Sequence, residues 1–404
     1  MSGEFLKGYR ALDLTGLSGQ LAGRMLADLG MEVIKIEPPG GDPVRNLAPF
    51  ITSASGAKLS TTFAHLNAGK ASKVLDLDSE AGCAAFKKLV ESADVVLESF
   101  QPGELDGKGL GYKKLAAINP GIVMGSITGF GQTGPKKNLV CNDLVALAES
   151  GFLYISGDPK LAPCKPPETQ AYYFASLFAT AGVLAALYRR ERTGCGGMVS
   201  TSLLANGLWW NAIQIQAALC GARVVPRPPR EEPATALANL YRCADGRWFL
   251  LNLVQDERDW PALLAAIERT DLANDGRFTT GPSRRANARA LIQVLDAAFA
   301  TRPWTEWREI LNRHDLTYGA VATVEDARSD RQMVASGALV PFDDPRGGAP
   351  LTVSGPVWVE GVEKVTPRFP PELGEHSVEI LRDAGYSDAE IEELRAGRVI
   401  VQSA

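Results

Sequence analysis

The spacing of apolar positions changes period repeatedly over the first 200 residues. Residues 9–14 read as a short buried strand, 20–29 carry helical spacing, and 32–37 alternate strictly between polar and apolar side chains. The cycle then repeats. A capping-type LDSEAG precedes a helix over 83–92 and a strand over 94–97; 115–118 forms a short helix and 121–127 another strand. Strands alternating with helices predict an α/β fold, a doubly wound, mostly parallel sheet covered on both faces. Ligands of such sheets sit at the carboxyl edge, where this chain has Gly/Pro-rich turns.

From 172 to 192 the pattern becomes one long apolar helix. Arg189, Arg190 and Arg192 followed by Gly194 form its stop signal. A strand over 198–201 and a helix over 202–218 follow. Composition then shifts at VVPRPPREEP, and 224–236 reads as a linker. Residues 237–330 form a smaller α+β unit: strands around a turn at Ala244, Asp245 and Gly246, then helices over 258–269, 283–300 and 304–313. A second Pro/Gly-rich crossing, PFDDPRGGAP, places a linker at 331–350. The final part, 351–404, holds a strand and helices over 375–385 and 387–396.

A chain of 404 residues suits two domains, or one large domain with an insertion. With 45% hydrophobic and 22% charged residues the composition is that of an ordinary globular protein. No apolar run approaches the roughly 20 residues of a membrane span, and MSGEFLKGYRALDL has no apolar signal core, so a cytoplasmic protein without membrane contact is expected. A formal charge of −5 argues against a broad nucleic-acid surface and leaves room for a local basic pocket. The six cysteines are scattered, as expected of reduced thiols, and His65, His314 and His376 share no metal-ligand spacing, so no metal is expected.

Several stretches, in chain order, carry a resemblance: YRALDLTGLSG, LADLGMEVIKIEPPGGDPVR, LNAGKASKVLDLDSEAG, ADVVLESFQPGELDGKGLGYKKLAAINPGIVMGSITGFGQTGP, GVLAALYRRERTGCGGMVSTSLL, YRCADGRWFLL and PPELGEHSVEILRDAGYSDAEIEELRAGRVI. Together they resemble the family III CoA-transferases (CaiB/BaiF), the group of formyl-CoA transferase and carnitine CoA-transferase. The resemblance implies a large domain built from both chain ends (1–223 and 351–404), a small domain inserted between them, and dimers whose chains interlink. It also implies an aspartate that attacks a thioester carbonyl, passing through a mixed anhydride and an aspartyl thioester, with backbone N–H groups stabilising the oxyanions. Coenzyme A or acyl-CoA would then be a substrate, with a free carboxylic acid as co-substrate and no tightly bound cofactor.

The family's aspartate stands ten residues before the first glycine of a G-[IV]-L-A-A-L segment. Here that glycine is Gly182 and the position is Tyr172; the usual glycine four residues further is Ser176. A phenol with a pKa near 10 is ionised in roughly one molecule per thousand at pH 7, and its adduct would be a phenyl ester, not an anhydride. Gln170, Ala171 and Tyr173 are no more acidic, and the nearest carboxylate is Glu168. Asp143, in CNDLVALAES, is either a replacement nucleophile or the N-cap of a helix over 144–150. The related racemases place a histidine where this chain has Asn142, so a proton-transfer racemase is not expected.

For coenzyme A the resemblance points to Leu17 and Ser18 in the first strand-to-helix turn, Asn67 and Lys70 in LNAGK, Ser99, Phe100 and Gln101 after a strand, and Lys137 after GQTGP. The family's phosphate-binding arginine corresponds to Gly107; Lys108 is the neighbouring point charge, without the arginine fork. Each also has a structural reading: Phe100 as core, the lysines as solvated charges. The aromatic residues Tyr172, Tyr173, Trp209 and Trp210 suit either an aromatic-acid pocket or a core or dimer interface. The segment PREEPATALAN lacks the glycines of the lid found in formyl-CoA transferase.

Three readings follow. The chain is a subunit whose homologous partner supplies the aspartate, in a heterodimer or heterotetramer that uses a donor such as succinyl-CoA, as in the aspartate-lacking subunits of heteromeric members. Alternatively it is a self-sufficient homodimer using Asp143 or Glu168, or a CoA-binding protein without turnover. A nicotinamide oxidoreductase is set aside because LTGLSGQLAG does not match G-x-G-x-x-G.

Overall fold

The computed structural model describes residues 5–52, 56, 58–158, 160–224, 228–344 and 349–402. Residues 225–227 and 345–348, inside the two predicted linkers, lie outside the described residues. The chain forms two compact units. One contains the chain up to Phe152, Pro166–Gln216 and everything from Arg331; the other contains Leu153–Lys165 and Ala217–Asp330.

In the first unit six strands lie in the spatial order Ala71–Val74, Glu32–Glu37, Arg10–Asp13, Val95–Glu98, Val123–Thr128, Gly197–Ser202. Every adjacent pair is parallel. Helices cover a parallel sheet on both faces, so its central strands are buried throughout; every residue of Val95–Glu98 and Val123–Thr128 is buried. The strand Ala71–Val74 escapes the hydrophobic pattern because its polar side chains are buried with partners. Ser72 donates to Glu37 Oε1 (2.6 Å), and Lys73, fully buried, donates to the Ser377 carbonyl (3.3 Å).

The C-terminal segment closes this edge. The N–H of His376 donates to the Ser72 carbonyl (3.1 Å) and that of Val74 to Ser377 Oγ (3.1 Å). Ile380 and Leu381 of the helix Ser377–Asp383, with Ile391 and Ile400, join Leu12, Ile34 and Phe86 in one apolar core. Both chain ends therefore build one sheet-centred unit.

The long helix spans Gln170–Thr193 and stops at Gly194 in the left-handed conformation (φ 71°), as its sequence predicts. By length and apolar composition it is long enough to cross a membrane, contrary to the expectation that no apolar run approaches that length. In this unit it packs on Val123–Thr128 and Gly197–Ser202. Gly182 permits the close approach: a Cβ there would stand 2.5 Å from Val199 Cγ1. The single helix predicted over 202–218 is instead two, Leu203–Trp210 and Ala212–Leu219. Between them Asn211 is buried and sends its amide to the Ser150 carbonyl (3.4 Å).

In the second unit Tyr318–Ala320, Trp248–Asn252 and Ala238–Arg242 form an antiparallel sheet, its hairpin turning at Gly246 (φ 83°). Tyr241, Phe249, Phe299 and Trp307 form its aromatic core. The helix predicted over 283–300 also divides at an asparagine, Asn287, into Gly281–Ala286 and Ala288–Phe299.

Candidate functional site

The strand order reverses at Arg10–Asp13, from which the sheet grows toward Glu32–Glu37 on one side and Val95–Glu98 on the other. Ligands of open α/β sheets bind outside the carboxyl ends of the strands at such a point. A cleft of ≈ 400 Å³ lies there, lined among others by Thr15, Gly16, Lys35, Ser99, Phe100 and Lys108. Another cavity, of ≈ 420 Å³, opens at the amino ends around Tyr9, Arg10 and Glu32, the edge this rule disfavours.

Buried ions hold the two loops at this cleft. Asp13 Oδ1 accepts from the N–H (2.9 Å) and hydroxyl (2.6 Å) of Thr15. Its other oxygen accepts from Lys70 Nζ (2.7 Å), which also donates to the Gln20 carbonyl (2.7 Å) and Asn67 Oδ1 (3.0 Å). Lys35 donates to the Thr15 carbonyl and pairs with Asp42 (2.9 Å). Burial pushes the Asp13 carboxyl up, but Lys70, Lys35 and Thr15 together outweigh it and hold the group below its ordinary value. Gly23 leaves room for this pair, since a Cβ there would stand 2.4 Å from Asp13 Oδ2. On the facing loop the N–H of Gly16 donates to Ser99 Oγ (2.9 Å), and that of Phe100 to Glu98 Oε2 (2.8 Å). Burial raises the Glu98 pKa to about 7, against the hydrogen bonds from Ser126 and Phe100. Ser126 Oγ accepts in turn from Gln132 Nε2 (2.8 Å), which ties the GQTGP loop to the same carboxyl.

A second arrangement surrounds the start of the long helix. Asn142, not Asp143, caps the helix Asp143–Glu149, its Oδ1 accepting from the Val145 N–H (3.0 Å). Asp143 instead reaches across to the long helix, where Oδ1 accepts from the Tyr172 N–H (3.1 Å). Thr169 at that helix start supplies no side-chain cap, so Asp143 takes the role from another segment. Burial raises the Asp143 pKa, and the amides of Thr169 to Tyr172 oppose the shift. Asp143 Oδ2 and Ser176 Oγ are buried without a hydrogen-bond partner among the described residues. Burial also pushes the Tyr172 phenol above its ordinary value, so it is neutral at pH 7. Around it, Tyr173 stacks with His65 (6.1 Å) and Phe174 with Trp210 (4.0 Å between centroids).

A parallel sheet of strands between residues 10 and 202, in a unit completed by the C-terminal helices, with an open cleft at its switch point, is a fold shared by several chemistries. The comparison with known sequences decides between them: the family model of CoA-transferase family III matches residues 6–377. The chain belongs to CoA-transferase family III. Among its relatives, succinyl-CoA:(R)-benzylsuccinate CoA-transferase subunit BbsE of Thauera aromatica is 31% identical over 99% of this chain and 99% of the relative. Succinate–glutarate CoA-transferase of Agrobacterium fabrum is 32% identical over 94% of this chain and 95% of the relative. Among solved structures, a CAIB/BAIF family protein from Brucella suis superposes with a TM-score of 0.87 at 30% identity, covering 94% of this chain and 99% of that one. Rv3272 from M. tuberculosis gives 0.79 at 29% identity, covering 94% and 99%.

Within this family III chain the residues expected to bind coenzyme A fall into three groups. Ser99, Phe100 and Lys108 line the switch-point cleft, and Leu17 and Ser18 continue its first loop. Gln101 and Lys137 are exposed, Gln101 lining a neighbouring cavity with Glu98 and Gln132. Asn67 and Lys70 are buried, their polar atoms engaged by Gln20 and Asp13 behind the cleft wall. Glu168 is exposed just before the long helix. Sequence reasoning missed Asp13, Lys35, Asp42 and Glu98. For Asp13, Lys35 and Glu98 the available signal was charged side chains inside strands that a parallel sheet must bury; Asp42 caps the short helix Pro43–Asn46 after a strand.

Proposed function

We propose that the chain is a subunit of a family III CoA-transferase that moves coenzyme A from an acyl-CoA thioester such as succinyl-CoA to a free carboxylic acid, with a homologous partner chain supplying the nucleophilic aspartate. The partner's carboxylate attacks the thioester carbonyl; its C–O bond forms as the C–S bond breaks, giving a mixed anhydride and the CoA thiolate. The thiolate attacks the aspartyl carbonyl and releases the first acid. The acceptor carboxylate then repeats the exchange in reverse.

The observation that carries this reading is Tyr172 at the helix start, neutral and unable to form an anhydride, with Asp143 committed beneath it to the backbone N–H of the same residue. Asp143 is 2% exposed, which suits a cap and not a nucleophile that must reach a thioester carbon. An apolar surface supports a partner chain: Trp209, Trp210 and Ile213 are 69%, 53% and 82% exposed, alongside Leu177 and Phe178 of the long helix. The relative BbsE is by name one subunit of its enzyme. On this proposal the assembly is a cytoplasmic heterodimer or heterotetramer.

Expression of this chain alone, of an aspartate-bearing homologue alone, and of both together tests the proposal, with transfer from succinyl-CoA to a panel of carboxylates as the readout. Turnover that requires the homologue is expected. Full turnover by this chain alone overturns it.

A further inference from the structure

We propose that Asp78 sets the nucleotide specificity of the switch-point cleft: by engaging the ammonium of Lys108 it leaves no cation for a terminal phosphate monoester, so the site accepts 3′-dephospho-coenzyme A as readily as coenzyme A. This rests on the proposed CoA-transferase function and takes the adenosine end of coenzyme A to enter the cleft that Ser99, Phe100 and Lys108 line. The 3′-phosphate is attached to the ribose beside the adenine, so it enters the cleft or its rim together with that base.

The charges lining the cleft are unequal. Among the described residues Glu37, Asp42, Asp76, Asp78 and Glu104 face it with only Lys35 and Lys108 as cations. Lys35 is consumed by the Thr15 carbonyl and Asp42. Lys108 pairs with Asp78, and this hydrogen bond raises its pKa. Among the described residues no cation lining the cleft is left unengaged. Glu37 has its own guanidinium, from Arg45 (2.7 Å), behind the wall. A phosphate monoester, close to two negative charges at pH 7, would have to draw Lys108 away from Asp78 and leave that carboxylate beside it. Asp78 is a surface side chain, 84% exposed, so its pair with Lys108 is weak in water. Its effect is therefore to cancel a preference for the phosphate, not to block the nucleotide.

The test is titration calorimetry of the full chain with coenzyme A and with 3′-dephospho-coenzyme A in low-salt buffer. The wild-type chain is expected to bind the two within about threefold, and Asp78→Asn to shift the ratio toward coenzyme A by about five- to tenfold, an effect that shrinks as salt screens the charges. In the double variant Asp78→Asn with Lys108→Ala the gain should vanish. A wild-type preference for coenzyme A above about twentyfold, or an unchanged ratio in Asp78→Asn, overturns this inference and leaves the CoA-transferase reading standing. Failure of both ligands to bind overturns the two together.

Discussion

The backbone N–H of Tyr172 donates to Asp143 Oδ1 at 3.1 Å, which joins the first turn of the long helix to a carboxylate from another segment. This bond makes Asp143 a cap for the long helix. Asp143→Ala should lower stability by about 1–2 kcal/mol, measured by urea unfolding. Asp143→Asn should lose less, because the amide oxygen still accepts. Turnover of the assembled enzyme should survive in Asp143→Asn; its complete loss in a folded variant would assign the chemistry to Asp143.

Lys73 is the reverse case, a fully buried side chain whose pKa burial depresses to about 7 and whose ammonium donates to the Ser377 carbonyl at 3.3 Å. A group whose folded pKa lies below its unfolded value loses stability as pH falls from the unfolded pKa through the folded one. Lys73→Met should therefore raise stability by about 1–3 kcal/mol, most clearly at pH 6 to 7. An unchanged or lower midpoint of unfolding would mean that the ammonium contributes net stability.

Glu98 titrates in the opposite sense. Its folded pKa, about 7, lies above the ordinary 4.5, so its contribution is complete below the unfolded pKa and is lost as pH rises through 7. The difference amounts to roughly 3 kcal/mol. Glu98→Gln should remove this slope, so that the variant gains on the wild type between pH 5 and 8 in thermal unfolding. Parallel stability curves would contradict the burial argument.

The exposed apolar side chains of Leu203–Trp210 and Ala212–Leu219 give a prediction about assembly. Trp209→Glu and Ile213→Asp remove apolar surface that is exposed in the single chain and cost it little stability. They should shift the protein toward monomer in light scattering. An unchanged mass would place the partner surface elsewhere.

The chain order of strands and helices was legible because a parallel sheet imposes it. Glu32–Glu37 and Trp304–Arg313 fall at their predicted bounds, and Gly194 ends the long helix as its glycine and arginines imply. Two long helices were misread for one reason: Asn211 and Asn287 sit in helical spacing but spend their amides on the carbonyls of Ser150 and Ser283. The strand Ala71–Val74 was hidden because Ser72 and Lys73 look solvent-facing until Glu37 and Ser377 are in place. At the site the spacing to Gly182 points to Tyr172 and its phenol. The role of Asp143 was not, since a cap supplied from another segment leaves no local pattern.

The central claim is tested most directly by trapping the acyl-enzyme. The assembled enzyme is incubated with succinyl-CoA, treated with hydroxylamine or borohydride, and the modified carboxylate is located by mass spectrometry. The adduct should appear on an aspartate of the homologous partner, with Asp143 and Glu168 unmodified. An adduct on any carboxylate of this chain would contradict the account.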